Sequence, residues 1–513
     1  MTSVPPTFAA RWAATVAAHP HSPFLIWAGS DGETTRWTYA EFDALVARVA
    51  GGLLARGVAP GDRVGIALRN CPAYVALWLA LVRVGAAMVC HDPSARTPEL
   101  AAQLRRTGAR LGFCAPERAT DYRAAARDTG TTVVEVAEDD TALATLLGPP
   151  ATVPEVEPEP HDLAGLMFTS GTTAEPKCVM VTQANYAFAG AVMAAAAELG
   201  PEDRQFVVLP MFHANAQYYS FAAAVQVGAS VVLLPSFSAS GFIAQAARHG
   251  VTHLSLFAAP IRMILARTGG AGGTSRTGGA GDTREALPEL RVRHCWFAQN
   301  VTDEQYERFA ALLGGCRPRQ LYGMTETIPA VLTNPAAAPI PSSMGRPTPG
   351  CVVAVHDGEI VVGGEPGVSL FAGYLDDPAA TAAAYRDGWF VTGDRARVDP
   401  DGHFRFAGRR GDVLKVAGEN VSVVEIEAVL AEHPAVLEAA VVGVPDEVRD
   451  EVPVAFVVAV PEANATALDD LAEWCAARLA KAKRPVRFER VAELPRTSVG
   501  KIRKFLLTER TSR

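Results

Sequence analysis

The chain predicts an α/β protein: a large N-terminal part of mostly parallel sheets with helices, then a small α+β domain. Three observations carry this. At 513 residues the chain exceeds what one hydrophobic core ordinarily holds, so two or more domains are expected. Strand-like apolar runs alternate with helix-period segments over the first ~150 residues and again beyond residue 206, as in parallel strands joined by covering helices. Near Gly408 the character changes, because residues 402–415 are polar and rich in Gly and Arg.

The elements follow in order. Residues 39–55 carry apolar side chains at helical spacing and end in Arg56-Gly57. Residues 64–68 form a short apolar strand, residues 73–84 a helix after Pro72, and residues 87–90 another strand. The pattern returns at 206–209, 220–226 and 230–234, and around 252–257. Residues 267–284, rich in Gly, Thr, Ala and Ser without apolar periodicity, read as a flexible surface loop. The C-terminal part reads as a helix (424–432), strands (437–442 and 452–460), a helix (468–480) and a short strand near Val486. The domains are placed at residues 1–410 and 411–513.

Composition narrows the function. Hydrophobic residues make up 49% and charged residues 20%, a globular profile. The net charge is −8 and basic residues form no long block, which argues against nucleic acid as a partner. Eight scattered cysteines, none at metal-ligand spacing, suit reduced thiols and a cytoplasmic location. No signal peptide is indicated, and Pro210, Gly228 and Pro235 break the one long uncharged stretch, so no membrane span is expected.

The most informative segment is Thr169-Ser170-Gly171-Thr172-Thr173-Ala174-Glu175-Pro176-Lys177. Apolar runs lead in and out, so it suits a loop between two strands. Its hydroxyls, backbone N–H groups and lysine suit phosphate oxygens. The glycine spacing is not that of a Walker loop. Downstream lie Tyr322-Gly323-Met324-Thr325-Glu326, Trp389-Phe390-Val391-Thr392-Gly393-Asp394, Gly408-Arg409-Arg410-Gly411-Asp412-Val413-Leu414-Lys415 and Pro495-Arg496-Thr497-Ser498-Val499-Gly500-Lys501-Ile502.

In this order and at these spacings the segments resemble the adenylate-forming superfamily of acyl-CoA synthetases, peptide-synthetase adenylation domains and luciferases, and most of all an acyl-CoA ligase. The resemblance runs from about Phe8 to about Lys504. It implies a β-barrel-like part in the N-terminal domain, a small domain that swivels about Asp412, and ATP, Mg²⁺ and coenzyme A as cofactor and co-substrates. Thr169, Ser170, Gly171, Thr172, Thr173 and Lys177 would hold the β- and γ-phosphates. Tyr322 would stack on adenine within Tyr322-Gly323-Met324, Thr325 would contact phosphate, and Glu326 would help to hold Mg²⁺. Asp394 would accept from the ribose hydroxyls, and Arg409 would reach the ribose or the phosphate. Lys501 would bridge the α-phosphate and the attacking carboxylate. In the thioester half-reaction Lys415 and the residues after it would enter the site, with Gly418 beside the pantetheine channel. His213, in Leu209-Pro210-Met211-Phe212-His213, would gate the acyl pocket, and Asn215, Gln217, Tyr218 and Tyr219 would give that pocket polar edges. No acidic residue follows His213, which disfavours an amino-acid substrate.

Two departures stand out. Ala174 and Cys178 replace glycines usual in the phosphate loop. Ala298-Gln299-Asn300 replaces small residues that floor the acyl site and pack on adenine; as buried amides, Gln299 and Asn300 would need hydrogen-bond partners. The expected activity is ATP-dependent ligation of a nonpolar acid, with aryl and polycyclic acids as candidates, to coenzyme A. The departures keep two alternatives open: thioester formation from a preformed acyl-adenylate, and activation for a carrier protein or another nucleophile. The sequence leaves the oligomeric state open.

Overall fold

The structure, a computed structural model, describes residues 4–29, 32–139, 143–150, 157–169, 176–268, 289–409, 413–416, 419–446, 448–460, 467–496 and 502–511. The expected loop at 267–284 therefore lies almost wholly outside the described residues, as do the domain break at 410–412 and the loop 170–175.

Two large sheets enclose a helical layer. In the seven-stranded sheet, Leu163–Thr169, Ala87–Cys90, Arg63–Ala67, Leu111–Cys114 and Thr132–Glu135 run parallel in that spatial order. Lys177–Thr182 and Gly373–Tyr374 add antiparallel strands at one edge. In the nine-stranded sheet the parallel run is Arg319–Tyr322, His294–Ala298, His253–Phe257, Arg204–Val207, Ser230–Leu233 and Pro23–Ala28. Every parallel step needs a crossover.

The sequence makes those crossovers helical by ordinary means. Thr38 caps Tyr39–Ala55 reciprocally with Glu41. Pro72 opens Pro72–Val84, and Gly85 ends it at φ 73°. Between the sheets Phe8, Trp78, Tyr186 and Phe221 pack ring to ring, with centroids 5.3–6.1 Å apart. This cluster buries apolar faces of both sheets at once.

The part expected to be barrel-like is a five-stranded antiparallel sheet of Val352–His356, Glu359–Gly363, Trp389–Val398, Tyr385–Arg386 and Phe404–Arg409, whose described pairings form an open path. The C-terminal part is a second five-stranded sheet. In it Val436–Asp446 and Asp450–Ala459 form the long hairpin, Arg487–Arg490 lies parallel to the latter, and Val413–Val416 pairs with Glu419–Ser422. Helices Val423–Ala431, Leu471–Arg478 and Lys504–Thr511 cover it. Residues 220–226, read as one element of an α/β repeat, lie in a π-helical stretch, Asn215–Ala222, that passes into the α-helix Ala223–Val227. π-helical turns are rare and concentrate at functional sites. Among the described residues no helix is long and apolar enough to cross a membrane.

Candidate active site

Three of the expected nucleotide residues meet. Asp394 lies on Trp389–Val398, opposite Arg409 of Phe404–Arg409, and is 3% exposed. One carboxylate oxygen accepts from Arg409 Nε at 2.6 Å, and the other from the Tyr322 hydroxyl at 2.7 Å. Tyr322 ends the parallel strand Arg319–Tyr322, so the hydrogen bond joins the nine-stranded and antiparallel sheets. Burial first, and then the Asp394 carboxylate, hold the Tyr322 phenol well above its ordinary value. An ionised carboxylate offers about four lone-pair sites. Asp394 can thus accept from a diol while keeping both protein donors.

The segment after Tyr322 is fixed tightly. A Cβ on Gly323 would lie 2.9 Å from the Pro329 oxygen and from Ala330 Cα, and 3.0 Å from the Tyr219 hydroxyl. Only glycine fits there without displacing backbone. Met324 and Thr325 lead into the 3₁₀ turn Thr325–Thr327. Thr327 Oγ1 accepts from the Met324 N–H at 3.0 Å, and Ile328 follows at φ 67°. A β-branched residue at positive φ is strained, and such strain gathers at functional sites.

Glu326, 4% exposed, accepts from the Tyr374 hydroxyl at 3.1 Å. The Lys177 ammonium lies 4.5 Å from the centroid of the Tyr374 ring. The expected metal carboxylate and phosphate lysine are thus brought to one tyrosine, which sequence reasoning missed. Thr169 and Lys177 are paired neighbours closing the strand hairpin, as a loop at 170–175 requires. Among the described residues no group of three or more His, Cys, Asp or Glu could hold a metal by itself. One buried carboxylate near the lysine expected to take phosphate would suit Mg²⁺, which commonly takes one or two protein carboxylates and completes its shell with phosphates and water.

The unusual wall differs from expectation. Gln299 and Asn300 are exposed, not buried. Gln299 has φ 72°, so its backbone keeps a glycine-like conformation. Gln320 Nε2 donates to the Gln299 carbonyl at 3.1 Å and to Asn300 Oδ1 at 3.3 Å. Arg262 donates to the Asn300 carbonyl at 2.7 Å. Ala298 ends the strand His294–Ala298. The physical reason is that the strand stops at Ala298, so the two amides leave the sheet at its open end.

All four residues read as acyl-pocket edges are buried, and Tyr218 and Tyr219 belong to the main hydrophobic core. Gln217, fully buried, is bonded to Tyr186, the Met211 carbonyl and Cys90. Tyr218, also fully buried, donates to Met167 Sδ at 3.6 Å. Asn215 donates to Ser255 Oγ at 2.8 Å, and Tyr219 faces Gly323. His213 lies in the turn after Pro210, its ring 4.2 Å from that of Phe212. Cys178 is fully buried in the core beneath the seven-stranded sheet, so that departure concerns packing. Lys415 sits on Val413–Val416, in register with Asn420. Ser170, Gly171, Thr172, Thr173, Asp412, Gly418 and Lys501 lie outside the described residues.

A cavity of about 740 Å³ opens between the N-terminal sheets and the C-terminal hairpin. Pro210, Phe212, Pro260 and Met263 give it apolar walls, Arg69 and Arg118 lie on its rim, and Leu437 closes it from the C-terminal side.

Comparison with known proteins identifies the family. The AMP-binding enzyme family matches residues 12–375, and the AMP-binding enzyme C-terminal domain matches residues 425–501. The chain is 31% identical over 519 residues to crotonobetaine/carnitine–CoA ligase of Escherichia coli O139:H28, covering 96% of each. Its fold is similar to that of ATP-bound MatB from Rhodopseudomonas palustris, with a TM-score of 0.83, 26% identity and 98% of each chain covered. It is also similar to the o-succinylbenzoate CoA synthetase of Bacillus subtilis in complex with its acyl-adenylate intermediate, with a TM-score of 0.81, 27% identity and 97% of each chain covered.

Proposed function

The chain belongs to the AMP-binding enzyme family as an acid–thiol ligase, and from that membership we propose that it joins a nonpolar carboxylic acid to coenzyme A through an acyl-adenylate. The observation that carries this reading is the junction of Tyr322, Asp394 and Arg409, with Glu326, Tyr374 and Lys177 forming a second cluster.

In this reading Asp394 takes the ribose hydroxyls, the Tyr322 ring meets adenine, and Arg409 adds a cation on the ribose side. Thr169, the loop after it, Thr325 and Lys177 hold phosphate oxygens. Glu326 holds Mg²⁺, which neutralises phosphate charge when bound. Lys501 stabilises the charge that develops at the α-phosphate as the acid attacks. Residues 1–410 then form the adenylating domain and 411–513 a lid turning about Asp412. The cavity beneath Leu437, as the lid stands here, serves as the acceptor channel, and Lys415 and Gly418 act on the lid side of the thioester half-reaction.

The substrate is inferred from Asn215, Ser255 and Tyr219, buried side chains without charge that suit an uncharged acyl body. The o-succinylbenzoate enzyme acts by its name on an aryl acid with a second carboxylate, and the carnitine ligase on a quaternary ammonium acid; uncharged side chains suit an aryl or aliphatic acid that carries neither second charge. Burial of Cys178 and the glycine-like backbone at Gln299 remove part of the case for an enzyme that has lost adenylation. Eight free cysteines suit a reducing cytoplasm.

The test is an incubation with ATP, Mg²⁺, coenzyme A and a panel of benzoate, phenylacetate, octanoate, crotonobetaine and acetate, read by mass spectrometry. Acyl-CoA from the aryl or medium-chain acids, with little from acetate, is the expected result. Activity confined to crotonobetaine would overturn the nonpolar assignment.

A further inference from the structure

Glu438 is a charged contact between the two domains. It lies on the C-terminal strand Val436–Asp446, and its side chain is 16% exposed. Arg262, on the N-terminal helix Ala258–Thr268, places a guanidinium nitrogen 3.7 Å from one carboxylate oxygen. Arg496 pairs with the other oxygen. The same Arg262 donates to the Asn300 carbonyl, so the chain of contacts runs from the wall beside the nucleotide residues to the lid. All three side chains are about three-quarters buried or more, where charges are poorly screened. Burial pulls the Arg262 guanidinium below its ordinary value, Glu438 opposes that pull, and Arg496 adds to it. Without the carboxylate, two largely buried guanidinium groups would face each other across the interface and repel.

We infer that Glu438 is a positioning residue: clamped between Arg262 and Arg496, it holds the lid in the orientation that closes the acceptor channel and ties that orientation to the wall at Asn300. The inference rests on the ligase reading for what the channel does, but not for the clamp itself. Interfaces between domains of one chain are small and polar by default, so relative motion is expected unless something opposes it. A clamp of charges can be released and remade as the lid turns, which a large apolar contact would not permit.

The experiment uses the full-length protein and the acid of the panel turned over best. Glu438→Gln is expected to keep ATP–pyrophosphate exchange within about twofold of the parent and to lower coenzyme A thioester formation about tenfold, the ratio that corresponds to roughly 1.4 kcal/mol. Arg262→Gln should act alike, the double variant should be little worse than either single one, and Glu438→Asp should recover most of the loss. Equal loss of both half-reactions, or loss of neither, would overturn the role. A spin label on each domain of the ligand-free protein gives a second readout. The interdomain distance distribution should broaden in Glu438→Gln, and an unchanged distribution would also overturn the clamp. If the parent makes no thioester, the ligase reading fails, and the distance measurement still decides the clamp.

Discussion

The nucleotide junction and the lid interface use the same chemistry, an acidic side chain between donors, with opposite commitment. Asp394 is 3% exposed and is held by Tyr322 and Arg409, both in the N-terminal part and both within 2.7 Å. Glu438 lies in a looser setting, 3.7 Å from a cation on the other domain. The first group is anchored on paired strands and cannot drift. The second joins elements with few other described contacts. On the proposed reading, the groups that must be in place before ATP arrives sit on paired strands, where backbone pairing sets their geometry. Groups that must move between half-reactions are attached by charges that separate at modest cost.

The sharpest way to break this comparison is to remove the mobile lysine. Lys501→Ala should abolish adenylate formation yet largely spare thioester formation from a supplied acyl-adenylate, measured as two separate rates. Full pyrophosphate exchange in the variant would remove Lys501 from the site. On the fixed side, Asp394→Ala takes the acceptor from Tyr322 and Arg409 and leaves a ribose without its carboxylate. The expected fall in kcat/KM for ATP is about 100-fold or more, roughly 2.7 kcal/mol.

Acid sharpens the comparison in another way. His91 is fully buried, and burial pulls its pKa from 6.5 down to about 4. The unfolded chain therefore binds more protons between those values, and stability falls as pH drops from about 6.5 to about 4, by roughly 3 kcal/mol in total. His253 and His294, also buried, are lowered for the same reason and add to the loss. His253 and His294 lie in the nine-stranded sheet, and His91 follows the strand Ala87–Cys90 of the seven-stranded one. Chemical denaturation at several pH values should show the N-terminal transition moving with acid while the C-terminal one stays, and His91→Gln should flatten the dependence.

The smallest effect is expected at the wall. Gln299→Gly removes a side chain from a backbone at φ 72°. Relief of left-handed strain, about 1–2 kcal/mol, is partly offset by the greater freedom of glycine in the unfolded chain. Thermal unfolding should rise slightly. A clear change in acid preference would mean that Gln299 also touches substrate.

The sequence was legible where chemistry follows strand ends. Thr169 and Lys177 close a hairpin, and Tyr322 and Arg409 end strands that bring them to Asp394, which lies mid-strand opposite Arg409. It was not legible where partners are remote. Tyr374 meets Glu326 48 positions away and lies beneath Lys177 from the opposite strand edge, and nothing in the local pattern around Gly373-Tyr374 marks it. Gln320 and Arg262 are ordinary polar residues on a strand and a helix until the fold sets them beside Asn300. Gln217 and Tyr218 read as pocket edges because hydropathy cannot tell a satisfied core amide from a ligand contact; the π-helical turn directs them inward. The two-residue strands of the antiparallel sheet, such as Tyr385–Arg386, are too short to give a period.

Whether the preorganised site works as an adenylating centre is tested most directly by exchange of labelled pyrophosphate into ATP, with the acid and Mg²⁺ present and coenzyme A absent. The expected result is acid-dependent exchange by the full-length protein, lost in Asp394→Ala. No exchange from a protein that still converts a supplied acyl-adenylate and coenzyme A to thioester would contradict it.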